Sequence, residues 1–250
     1  MFKGFQNTSR TNGFNGFPAL NFRMNNQAYG FSGCSFWLDA AYGLNTQTDL
    51  AAVSSWQTRI GGVAFTQSTA ANQPTLVLSD ASFNNLPTIN FTAGNTRFML
   101  SSPNSYVGLG NVTIAIVYQI QSTSTNGNRL VSDSTTANNA IGIASNGANA
   151  GMNGLGLYTG TSTSTISGTT EDTNPHIGIL SDRYVYVNGV QEATGSSQFI
   201  YGFNQLGSQG STNNTATQAK IAEIIIFNRL MTDLQMANLS TNINSKYAIY

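Results

Sequence analysis

The chain has 250 residues, of which ten are basic and ten acidic, so its formal net charge is zero and only 8% of its side chains are charged. A soluble domain averages about a quarter charged; here Asn, Gln, Ser, Thr and Gly take the place of the missing charge. With neither sign in excess or clustered, the counterion release that drives nucleic-acid binding has no source, which argues against DNA, RNA and anionic membrane as partners.

An all-β chain of this length is routinely a single domain with one large core. The lone cysteine, Cys34, forms no internal disulfide, and with one histidine, His176, no Cys/His zinc cluster can be assembled within one chain. The start "MFKGFQNTSR" lacks an apolar leader core, and the greasiest run, "IIIF" at Ile224 to Phe227, is too short to span a bilayer. The expectation is a soluble protein made in a cytoplasm.

Residues 1–32 carry Phe2, Phe5, Phe14, Phe17, Leu20, Phe22 and Phe31 among Asn-Gly pairs, at a spacing that fits neither helix nor strand. This segment reads as an extended N-terminal arm. Its Phe5, Phe14, Phe17, Leu20 and Phe22 are candidate partner contacts, because each phenylalanine buried by a partner contributes about 1.5–3 kcal/mol.

From "CSFWLDA" at Cys34 onward, short β-like runs alternate with turn clusters, at the spacing of a sandwich or jelly roll. In "NVTIAIVYQI", Val112, Ile114, Ile116, Tyr118 and Ile120 share one face and the other is also largely apolar, which predicts a central strand covered on both sides. "RYVYVNGVQEATG" contains Asn188-Gly189, the signal of a tight hairpin. "IAEIIIF" is apolar on both faces except for Glu223.

Near the end, Thr232 to Gln235 spells a capping box and predicts a helix from about Asp233 to Lys246. Its apolar stripe is read as Leu234, Ala237, Asn238, Asn242 and Ile243, with Leu239 and Tyr247 beside it. The predicted architecture is an all-β, two-sheet antiparallel jelly roll at 33–250, preceded by the arm at 1–32 and closed by one C-terminal α-helix.

The pieces "FWLDA" at 36–40, "VSSWQTRIGG" at 53–62, "QSTAANQPTL" at 67–76, "LPTINFTAGNTRFML" at 86–100, "YVYVNGVQEATG" at 184–195 and "KIAEIIIFNRLMTDLQMANLSTNINSKYAIY" at 220–250 stand in an order and spacing that resemble a known family. The chain resembles the laminin G-like, concanavalin A-like jelly-roll domains found in bacteriophage virion proteins and in many extracellular proteins. The resemblance covers about Ser35 to Tyr250. It implies two packed antiparallel sheets with a helix after the last strand, and core positions for Trp37 and Trp56. Domains of this fold bind glycans, adhere to proteins or hydrolyse substrates, so the fold alone assigns no activity.

Catalytic machinery is not evident. Glycoside hydrolysis needs two carboxylates across the scissile bond, and the hydrolases that resemble this fold set alternating acids along one strand; Glu171, Glu192 and Glu223 form no such run. His176 would have to serve any Ser-His-Asp arrangement and reads instead as an ordinary strand-start histidine. Calcium is bound by some domains of this fold through Asp, Asn and backbone oxygens. Asp133 and Asp182 are conceivable ligands, yet turn roles are expected for both, and no cofactor is expected. Tyr158, Tyr184 and Tyr186 are candidate carbohydrate platforms, with Tyr184 and Tyr186 on one strand face that could equally point inward.

Two functions follow. The first is a non-enzymatic bacteriophage virion protein, a capsid decoration, knob or head-fibre subunit. It would be made in the host cytoplasm, dock on capsid proteins or neighbouring subunits through the arm, and form a homo-oligomer such as a trimer. The alternative is a glycan- or receptor-binding module on a tail or at a cell surface, with a host-surface glycan as ligand.

Overall fold

The computed structural model describes residues 26–92, 97–102, 107, 110–122, 128–134, 140–143, 154–158, 166–170, 172–181, 183–195, 202–208 and 217–250. The first strands in chain order are β1 (Gln27–Ala28), β2 (Phe31–Ser32), β3 (Cys34–Asp39), β4 (Ser55–Gln57), β5 (Ala64–Thr66) and β6 (Thr75–Asp80). Next come β7 (Leu86–Asn90), β8 (Met99–Ser102), β9 (Thr113–Ile120), β10 (Asn128–Ser132), β11 (Ala140–Ile143) and β12 (Leu155–Tyr158). The last are β13 (Ile166–Ser167), β14 (Pro175–Leu180), β15 (Tyr184–Val187), β16 (Val190–Thr194), β17 (Gln205–Leu206) and β18 (Ala219–Phe227), followed by α1 (Asp233–Tyr247).

Two antiparallel sheets form the sandwich. One runs β16-β15-β14-β9-β18-β7-β6, with β3 also paired to β18; the other runs β13-β12-β11-β10-β17-β8-β5-β4. In the first, β18 pairs with β9 along one side, while its other side is shared between β7 near Lys220 and β3 from Glu223 onward. This double use of β18 accounts for its unbroken burial from Ile221 to Phe227.

The inter-sheet core holds Ile114, Ile116, Tyr118 and Ile120 from β9, facing Phe65, Met99, Leu130 and Leu206 from the second sheet. The opposite face of β9, Ala115 and Val117, belongs to a second apolar layer under α1. The two-sided pattern of "NVTIAIVYQI" therefore has its predicted cause. A bulge between Ile221 and Glu223 shifts the phase of β18. Ile221 and Ile224 both face the inter-sheet core, and Glu223 is turned to the helix side.

The helix begins as its capping box predicts. Gln235 N–H donates to Thr232 Oγ1 at 3.3 Å, and Thr232 N–H donates to Gln235 Oε1 at 3.1 Å. Thr232→Ala removes an acceptor for an otherwise orphaned N–H and is expected to cost about 1 kcal/mol, read as a shift in the urea midpoint without a change in slope. The buried stripe differs from the predicted one. Met236, Leu239, Ser240, Ile243 and Tyr247 face the sheet, whereas Leu234 is 71% exposed. The spacing of 236, 239, 243 and 247 continues one helical face, and Leu234 falls outside it.

The Asn188-Gly189 hairpin is also as predicted: both residues have positive φ, 51° and 78°, and Val187 pairs with Val190. At the N-terminus the boundary moves. Residues 27–32, assigned to the arm by their irregular aromatics, form the β1–β2 hairpin. Ala28 is buried in the helix-side layer and Phe31 meets Phe227 edge-on, with ring centroids 6.3 Å apart. Two-residue strands are too short for alternation to reveal. Phe5, Phe14, Phe17, Leu20 and Phe22 lie outside the described residues.

Candidate functional site

The second sheet turns one face to the core and the other outward, and its register shows which residues face out. Ser55 pairs with Thr66, Thr66 with Leu100, Leu100 with Gln205, and Gln205 with Ser132. This cross-strand row alternates with the core row of Met99, Leu206 and Val131, so it lies on the outer face. The row is polar except for Leu100. Its inner end, Gln205 and Ser132, is buried, and Ser132 Oγ donates to Gln205 Oε1 at 3.2 Å.

At the β4–β5–β8 end this face sinks into a cleft of about 610 Å³, within the size range of small-ligand sites. Ser54, Thr66 and Ser68 line it with hydroxyls, Gln67 and Gln73 with amides, and Phe98 and Leu100 with apolar surface. Strand alternation explains part of the set: Phe65 packs inward, so Thr66 points out.

The walls are braced by Gln67, which is 6% exposed. Its Nε2 donates to the Phe98 carbonyl at 3.2 Å, and its Oε1 accepts from Thr69 N–H at 2.9 Å. Its backbone N–H donates to the Ser54 carbonyl, and its carbonyl accepts from Gln73 Nε2 at 2.8 Å. One buried residue thus links three segments of the wall through its side-chain amide and its backbone, which holds the lining side chains in place before any ligand arrives. Sequence reasoning missed these residues because they are ordinary Ser, Thr and Gln in a chain full of them. The usable signal was the in-out alternation of "AFTQS" and "RFMLSS".

The tyrosines predicted as sugar platforms are placed elsewhere. Tyr186 is 5% exposed in the layer under α1, where its hydroxyl donates to Gln191 Oε1 at 2.9 Å. Burial, with Asp233 beside it, pushes its hydroxyl above the ordinary tyrosine range. Tyr184 is half-buried against the same layer. Tyr186 offers no exposed ring, because its strand face is the one α1 covers, and Tyr184 keeps only part of its ring in solvent. Of Tyr158 the backbone is described, on β12 opposite Ala140. Trp56 is fully buried in the inter-sheet core, and Trp37 is half-buried on the helix side.

His176 is buried between Asp172, whose Oδ1 lies 2.8 Å from Nε2, and Asn188, whose Nδ2 lies 3.1 Å from Nδ1. These contacts tie the start of β14 to the 188–189 turn. Glu192 accepts from the backbone N–H groups of Thr169 and Thr170, at 2.7 and 3.0 Å, and so fixes that loop. Asp133 is buried, Asp182 lies outside the described residues, and among the described residues no group of three His, Cys, Asp or Glu could hold a metal ion.

The structure does bring two carboxylates together. Asp39 and Glu223 are register partners across β3 and β18. Lys246 Nζ reaches both at 3.2 Å, Arg59 Nη1 donates to Asp39 Oδ2 at 2.7 Å, and Tyr29 Oη donates to Glu223 Oε2 at 2.7 Å. Trp37 Nε1 donates to Glu223 Oε1. Glu223 is wholly buried and Asp39 is 2% exposed. Burial holds the Glu223 carboxyl above the ordinary glutamate range, with Lys246 opposing the shift. The cluster fastens the β1–β2 hairpin, the end of α1 and the Arg59 segment to the sheet.

No family model matches the sequence, and none of the curated proteins does. Solved structures do match. Domain 4 of an extracellular GH43 arabinanase from Geobacillus stearothermophilus, in complex with arabinotriose, aligns with a TM-score of 0.56 and 13% identity over 83% of this chain and 98% of that one. Trypanosoma rangeli sialidase in complex with sialic acid aligns with a TM-score of 0.50 and 13% identity, covering 88% of this chain and 34% of that one. The binding domain of a botulinum neurotoxin of serotype D/C aligns with a TM-score of 0.47 and 12% identity, over 84% of this chain and 52% of that one. The first two alignments and the two-sheet topology show a concanavalin A-like β-sandwich fold, with α1 as the one α-helix among the described residues.

Proposed function

We propose that the protein is a non-catalytic carbohydrate-binding module whose sugar site is the cleft on the outer face of the second sheet. The carrying observation is that braced cleft, lined by hydroxyl and amide side chains, with Phe98 and Leu100 adding apolar surface to its wall. Hydroxyl and amide side chains both donate and accept, as sugar hydroxyls do; Phe98, 9% exposed, presents only a strip of apolar surface beside them. The arabinanase domain that aligns along nearly its whole length was solved with a trisaccharide, which supports the same reading.

The virion reading rests on the sequence resemblance and on the N-terminal segment, whose contact residues lie outside the described ones. The cleft favours the glycan-binding alternative over it. The two meet if the module is displayed on a particle, with residues 1–25 as its attachment.

Binding to a glycan array and isothermal titration with the best hit test the proposal. Gln73→Ala and Phe98→Ala are each expected to weaken binding by about tenfold or more, in the range of one lost polar or apolar contact, with folding checked by circular dichroism. Gln73 is half-exposed, so its variant separates binding from stability. Unchanged affinity in both variants would place the site elsewhere.

A further inference from the structure

We infer that the cleft selects uncharged oligosaccharides and discriminates against uronic, sialylated and sulfated ones; this rests on the carbohydrate-binding reading of the same cleft. Every described side chain that lines it is neutral. An anionic sugar entering such a site gives up water around its charge and meets no cation in return, a transfer that is costly unless the charge is paired. A neutral sugar exchanges hydroxyl–water contacts for hydroxyl–amide and hydroxyl–hydroxyl contacts of the same kind.

The nearest cation in sequence is Arg97, beside Phe98. It does not line the cleft, and its Nη1 donates to Thr75 Oγ1 at 3.1 Å. The low charge of the chain, which disfavours nucleic acid, thus takes on a positive meaning at this site.

The full chain is titrated with neutral probes (arabinotriose, xylotriose, maltotriose, lactose) and acidic ones (trigalacturonate, sialyllactose), alongside the Gln73→Ala and Thr66→Lys variants. A neutral probe is expected to bind, with sialyllactose at least about tenfold weaker than lactose where lactose binds. Raising salt from about 0.05 to 0.5 M is expected to change the affinity for the neutral probe by less than about twofold, since no charge pair is there to be screened. Thr66→Lys is expected to narrow the gap between sialyllactose and lactose by placing a cation in the wall. Acidic probes that bind as tightly as neutral ones, and lose affinity in Gln73→Ala, would overturn the selectivity while leaving the carbohydrate site in place. Binding of no saccharide on a broad array would overturn the carbohydrate reading itself and the selectivity with it.

Discussion

Glu223→Ala is expected to lower the unfolding free energy by about 3–5 kcal/mol, the combined cost of a cavity at a buried site and of hydrogen-bond donors left without their acceptor. For a chain of this length that corresponds to roughly 10 °C in the thermal midpoint. The alanine leaves Trp37 Nε1–H and the Tyr29 hydroxyl without their acceptor, and Lys246 with Asp39 alone. Three separate pieces of chain lose their common tether, so the β1–β2 hairpin should gain amide exchange ahead of global unfolding. Glu223→Gln keeps the volume and one acceptor, and is expected to lose less.

The two variants also differ in pH dependence. The folded protein holds the Glu223 carboxyl above its ordinary value of about 4.3, so the folded chain binds that proton more tightly than the unfolded chain does. Its contribution is fully present below the unfolded value and is lost as pH rises through the raised folded one. In the wild type this group should reduce stability across that window, and Glu223→Gln, which cannot titrate, should remove that part of the slope. Urea midpoints at a series of pH values check it; an identical slope in wild type and Glu223→Gln would overturn it.

What was legible in the sequence was local. Thr232 and Gln235 are three residues apart and cap the same helix end, and Asn188-Gly189 makes its own turn. The two apolar faces of β9 announced two layers above and below it. The rest depends on register between segments far apart in the chain. Nothing near Asp39 signals that it will stand opposite Glu223, since that pairing follows from β3 joining β18 and from the bulge after Ile221. The helix stripe was misread for a related reason: the sheet beneath α1 chooses which of several apolar combinations is buried, and it chose Met236 over Leu234. The cleft was hidden because Ser54, Gln67, Gln73 and Phe98 come from separate connections and carry no motif. Tyr184 and Tyr186 looked like a platform because alternation gives a shared face without saying what covers it.

Trp56→Ala is expected to destabilise the protein by about 3–5 kcal/mol, the range for deleting a buried large aromatic, and to impair saccharide binding in the molecules that remain folded. Trp56 is fully buried in the inter-sheet core, and its Nε1 donates to the Asp39 carbonyl at 3.0 Å. The indole thus joins β4 to β3, on the strand that also carries the Glu223 partner. Its neighbours in sequence serve the cleft: Ser54 lines it and receives the Gln67 N–H, while Ser55 pairs with Thr66. A cavity beneath β4 loosens the strand whose register sets that wall. Trp56→Phe retains most of the packing but loses the indole hydrogen bond, so it should cost less and spare more of the binding. Urea midpoints rank the variants for stability. Titration well below each variant's unfolding midpoint then isolates the cleft: weaker binding by Trp56→Ala, with Trp56→Phe between it and wild type, ties the core under β4 to the sugar site, whereas undiminished affinity in folded Trp56→Ala would show that the cleft wall holds its shape without it.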